Sequence, residues 1–121
     1  MRSTGLLLCI FALAWGLSNG ELTCYSCQGK DDECPHLLNE SNLPHITPCG
    51  GVLSTVCTKI SIEYPNGDYY TYRNCAPSSL EYGDNGMDFC SFIEFLYTPF
   101  KTDSLINHVD CVVCNSYECN T

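Results

Sequence analysis

The chain has 121 residues, 45% apolar and 16% charged, and five basic against fourteen acidic residues give a net charge of −9. That length holds one domain or two very small ones. The charge excludes gripping a nucleic-acid backbone, which takes clustered Lys and Arg, and excludes a polybasic membrane anchor; with 12% aromatic residues and no polar low-complexity tract, disorder is excluded too.

Residues 1–20 read as a secretory signal peptide. Arg2 supplies the positive start, residues 6–15 an apolar run, and Ser18 and Gly20 small side chains ahead of a cut before Glu21. The run is about half of what a membrane-spanning helix needs. Residues 21–121 are then expected to form a single secreted domain. The cut removes Cys9 and leaves ten cysteines: Cys24, Cys27, Cys34, Cys49, Cys57, Cys75, Cys90, Cys111, Cys114 and Cys119. An even number in a small secreted domain reads as five disulfides. Each contributes about 2–4 kcal/mol, largely by restricting the unfolded chain, so a modest core suffices. Four basic residues remain against fourteen acidic ones, a net charge of −10. No apolar tail follows Cys119, so neither a membrane span nor a lipid-anchor signal is expected.

Within 21–121 the signals are those of strands. Residues 21–27 open as a short strand, and a polar, Pro-punctuated stretch returns near 45–49. Residues 56–64 alternate: Thr58, Ile60, Ile62 and Tyr64 share one face, and Lys59, Ser61 and Glu63 the other. Asn66-Gly67 predicts a tight hairpin turn with both central residues at positive φ, and residues 69–73 return. The Pro, Ser, Gly and Asn content of 76–88 predicts a loop. Residues 89–97, aromatic and β-prone, predict a strand, with a turn over 98–104 and a return over 105–111. No helix is expected. Three excursions, 24–49, 57–75 and 90–111, thus start and end near cysteines. The fold class is small, disulfide-rich and all-β.

Leu22-Thr23-Cys24-Tyr25-Ser26-Cys27 resembles the opening of the three-finger domains of the lymphocyte-antigen-six and urokinase-receptor family, and Cys114-Asn115-Ser116-Tyr117-Glu118-Cys119-Asn120 resembles its close. Ten cysteines allow on the order of a thousand pairings. The resemblance implies one: Cys24–Cys57, Cys27–Cys34, Cys49–Cys75, Cys90–Cys111 and Cys114–Cys119. It also implies that Asn120 hydrogen-bonds within the base. Two features depart from the usual pattern. Val112-Val113 separates Cys111 from Cys114, a spacer similar to that of invertebrate members, and Tyr117-Glu118 stands where an Asp is usual.

Chemistry-bearing residues are sparse. The two Cys-x-x-Cys pairs lie about eighty residues apart, and zinc needs thiolates that a secretory compartment oxidises. His36, His45 and His108 have no free thiol beside them, no nucleophile elbow is present, and Gly83-Asp84-Asn85-Gly86 is too short for a calcium loop. The reading is a non-enzymatic protein without cofactor or metal. Asn39-Glu40-Ser41 is an N-glycosylation sequon. Asp31-Asp32-Glu33 is an acidic run that reads as a solvated loop. Phe92, Phe95, Tyr97 and Phe100 crowd the third excursion, with Phe100 placed at its turn; apolar residues that a thin sheet cannot bury mark a partner site. The resemblance implies a secreted module docking on the extracellular domain of a receptor, ion channel or adhesion protein, as family members do on nicotinic receptors, potassium channels and epithelial junctions. The alternative is a structural component of junction or matrix acting by self-association.

Overall fold

The computed structural model describes residues 21–50, 55–82 and 85–121; the leader expected over 1–20 lies outside them. Among the described residues there are seven strands and one helix: β1 Thr23–Gly29, β2 His45–Pro48, β3 Thr55–Glu63, β4 Tyr69–Pro77, β5 Ser79–Tyr82, β6 Asn85–Asp88, α1 Phe89–Thr102 and β7 His108–Cys114. Five strands make one antiparallel sheet in the order β2-β1-β4-β3-β7, and β5 and β6 make a separate ribbon. The bridges are Cys24–Cys57, Cys27–Cys34, Cys49–Cys75, Cys90–Cys111 and Cys114–Cys119, the same five pairs that the resemblance implies. Finger I is built on β1 and β2, finger II on β3 and β4, and finger III on α1 and β7.

Finger II follows the alternation of its sequence. Ile60 faces Tyr72 and Ile62 faces Tyr70 across β3–β4, while Lys59 faces Arg73 and Ser61 faces Thr71. Its turn differs from expectation. Gly67 N–H donates to Tyr64 O at 2.9 Å, Tyr64 N–H donates to Asp68 O at 2.9 Å, and Gly67 alone of the turn has positive φ, +89°. Pro65 is the reason. Its ring holds φ near −65°, which suits the first inner position of a type I turn and excludes the primed turn; Gly67 then closes a three-residue loop.

The sheet is covered on both faces. On one, Ile60, Ile62 and Val109 meet Ile93 of α1 and Ile106 behind it, and Tyr70, Tyr72, Phe89 and Tyr97 pack around this small core. On the other lies the finger I loop, held by Cys27–Cys34. Gly29 is required at its root: φ is +138°, and a Cβ there would sit 2.7 Å from that of Glu33. His36 stacks on Tyr69 with ring centroids 4.1 Å apart, and its Nδ1 lies 3.2 Å from Ser61 Oγ. Beneath the loop Thr71 is fully buried and its hydroxyl has no hydrogen-bond partner among the described residues. Thr71→Val keeps the shape and removes the orphaned group. It is expected to raise stability by about 1 kcal/mol, read as a higher denaturation midpoint.

Two expectations are corrected here. Residues 89–97 are not a strand, and 98–104 are not a hairpin turn: the outgoing arm of finger III is helical, so the fold is mostly rather than wholly β. The 76–88 segment is not a loop. It holds the β5–β6 ribbon, paired from Ser79 with Asp88 to Tyr82 with Asn85.

Candidate functional site

The helix of finger III has defined ends. Asp88 caps its start, accepting from Ser91 N–H at 2.9 Å, and the Ser91 hydrogen bonds hold its carboxyl below the ordinary carboxylate range. At its end Leu105 N–H donates to Phe100 O at 2.9 Å and Ser104 N–H to Lys101 O at 3.1 Å, with Ser104 at φ +60°. That is a Schellman closure, and Leu105 and Phe100 occupy the two positions that usually make its apolar contact.

Between these ends the apolar residues form two adjacent stripes. Phe89, Ile93 and Tyr97, spaced i, i+4, i+8, turn towards the sheet. Phe92, Phe95 and Leu96 lie beside them on the next arc of the helix, and Phe100 in its last turn comes back to the edge of the first stripe. Phe95 is 47% exposed, Leu96 44%, Phe100 46% and Leu105, just beyond, 57%. One helix of apolar arc this wide cannot be buried by one sheet face. Cys90–Cys111 and the small core hold the helix in place, and the second stripe is left outward. A cleft of about 290 Å³ opens between the helix and β3–β4, lined by Ile60, Ile62, Tyr72, Ile93 and Tyr97 among others. A hollow of about 440 Å³ at the finger II tip is less suited to a ligand, because its Asn66 and Asp68 hydrogen-bond each other.

The structure therefore regroups the four residues expected to meet a partner. Phe92 is half-buried, Phe95 and Phe100 are exposed, and Tyr97 packs on the core, its ring 5.8 Å from that of Phe100. Phe100 is in the last turn of α1, not at a hairpin tip. Leu96 and Leu105 join the exposed set.

The base of the domain is organised by two polar residues. Asn120, 3% exposed, accepts from Tyr25 N–H at 3.0 Å and donates to Tyr25 O at 2.9 Å and Thr58 O at 3.0 Å. Its amide thus pairs with β1 as a neighbouring strand would and ties in β3. Arg73 is fully buried. Its guanidinium donates to four main-chain oxygens: Asn120 at 3.0 Å, Pro35 at 2.6 Å, His36 at 3.1 Å and Thr121 at 2.8 Å. It joins the finger I loop and the C-terminal residues to the central strand. Burial lowers its pKa, but a guanidinium stays charged at any physiological pH. Reading the sequence gave Arg73 no role beyond a strand position; its partners come from two distant segments, and no local pattern marks them.

His36 and the acidic run belong to the same loop. Asp31 accepts from His36 N–H at 3.0 Å. Burial, then the Lys59 ammonium, lowers the His36 pKa below 6.5. The neutral ring is the one the fold prefers, so its contribution is present above about pH 6.5 and is lost as pH falls through the lowered folded-state value. The denaturation midpoint is expected to drop between pH 7.5 and pH 5, and His36→Gln to flatten that part of the profile. His45 and His108 are exposed. The sulfurs of Cys24, Cys49 and Cys75 cluster, with Cys24 and Cys49 Sγ 3.3 Å apart, but all three are in bridges and offer no thiolate. Among the described residues no helix is long and apolar enough to cross a membrane.

Three fingers on a five-bridged base define a three-finger domain, here with one helical arm. Residues 22–120 match the Quiver family u-PAR/Ly-6-like domain, and the chain belongs to that family. No curated protein and no solved structure matches it. A small extracellular binding module is the class that this family defines.

Proposed function

We propose that the chain is secreted with loss of residues 1–20 and docks, through the outward stripe of α1, on the extracellular domain of a membrane receptor, channel or adhesion protein, altering its gating or assembly. The observation that carries this reading is the exposure of Phe95, Leu96, Phe100 and Leu105 on an element whose other face, both ends and disulfide are fixed. An apolar surface held rigid costs little ordering on binding. Catalysis is no part of the reading, and the family's domains are generally non-enzymatic binding modules. Asn39, exposed in the finger I turn, carries an N-glycan in this account; its side-chain oxygen already accepts from Ser41 N–H and Oγ at 2.9 and 2.6 Å.

A photocrosslinking residue in place of Leu96 tests the reading on living cells. The expected product is a conjugate with an integral membrane protein, absent when the crosslinker replaces Glu40 in finger I. A homodimer as the sole product would favour a self-associating structural component instead, and no product from position 96 would remove the helix as the docking element.

A further inference from the structure

We infer that the surface received by the α1 stripe is a protein face with an apolar centre and a rim of Lys and Arg, and not a second copy of this chain. The inference rests on the docking reading above and adds the partner's charge. Among the described residues ten acidic side chains are exposed, against two lysines, Lys30 and Lys101. Of the other two basic residues of the domain, one is removed from the surface and one is partly covered. Arg73 is fully buried with main-chain oxygens as its partners, and Lys59 is half-buried beneath the finger I loop. The anionic surface reaches the stripe itself. Asp88 and Asp103 are exposed at the two ends of α1, on the side of the stripe, whereas Glu94 and Lys101, the one cation on the helix, lie on the opposite side.

Two different jobs follow for these groups. Burial of the apolar stripe supplies affinity, and it is blind to charge. The acidic surround decides which apolar face can approach, because opposed like charges repel while a basic rim is steered in. A symmetric dimer buries the same patch on both copies. It would set Asp88 and Asp103 of one helix close to those of the other, across a domain already carrying a net charge of −10.

The test uses the folded domain and a random twelve-residue peptide library displayed on phage. Selection is on the wild-type domain, with counter-selection on Leu96→Glu. The expected survivors combine aromatic or aliphatic residues with Lys and Arg. A synthetic survivor should associate about tenfold more slowly on going from about 50 mM to about 500 mM NaCl. Asp103→Lys should slow association in the same direction while changing dissociation little. Survivors that need Leu96 but are neutral or acidic would overturn the charge inference and leave the docking reading standing. Basic survivors that bind Leu96→Glu equally well would also overturn it, as attraction without a docked stripe. No peptide dependent on Leu96 would overturn both. Sedimentation of the domain alone should give a monomer, and a dimer broken by Leu96→Glu would overturn the exclusion of a second copy.

Discussion

Arg73→Met is expected to cost about 3–5 kcal/mol, because several buried oxygens lose a charged donor at once and each acceptor left unpaired costs about 1–3 kcal/mol. In a domain of this size that lowers the melting temperature by about 10–25 °C. The reason is the set of groups left behind. Main-chain oxygens of Pro35, His36, Asn120 and Thr121 all point at the guanidinium, and a thioether offers them no proton. Arg73→Lys keeps the charge but not the planar fork that reaches four oxygens at once, so it should be nearly as harmful. Lys59→Met, on the adjacent strand and half-buried, is the control and should change little. Full stability of Arg73→Lys would mean that charge alone, not the fork, holds the finger I loop and the C-terminal residues.

Asn120→Asp is expected to be nearly as damaging at neutral pH and to recover in acid. The carboxylate would replace an amide that donates to Tyr25 O and Thr58 O, placing negative charge against two carbonyl oxygens in a buried position. Burial and those oxygens raise the folded-state pKa of the new acid above its unfolded value of about 4. Below about pH 4 both states hold the proton and the charge penalty is absent; it grows as pH rises towards the folded-state value. Asn120→Ala loses the same hydrogen bonds without a charge, so its cost should not change with pH. Denaturation midpoints of the two variants from pH 3.5 to pH 7.5 give the comparison.

The residues differ in how much of this was legible from sequence. The hairpin over β3 and β4 was readable because one alternating face is apolar, and the turn lies between two runs of strand formers. Only the turn type was not legible, since Asn66-Gly67 favours a primed turn while Pro65, one residue earlier, fixes φ for a type I turn. The helix of finger III was misread because Phe, Ile and Tyr favour strands and Pro99 interrupts helices. The contrary signals were present: Asp88 stands three residues before the amide it caps, and Phe89, Ile93 and Tyr97 repeat at helical spacing. Because both stripes of the helix are apolar, its period is blurred, and the feature that hid the helix is the one that exposes a docking surface. Asn120 came from the family resemblance. Arg73 was invisible, because its role exists only once residues 35–36 and 120–121 converge on it.

Helix α1 presents a surface for a partner while its other face builds the core. Leu96→Glu and Ile93→Ala separate the two roles. Cell-surface binding and the denaturation midpoint are to be measured on both variants and the wild type. The expected result is that Leu96→Glu abolishes binding with an unchanged midpoint, while Ile93→Ala lowers the midpoint by about 2–4 kcal/mol equivalent and binds in proportion to the folded fraction. If Leu96→Glu unfolds the domain, or binds as the wild type does, the outward stripe is not the recognition surface and the central claim fails.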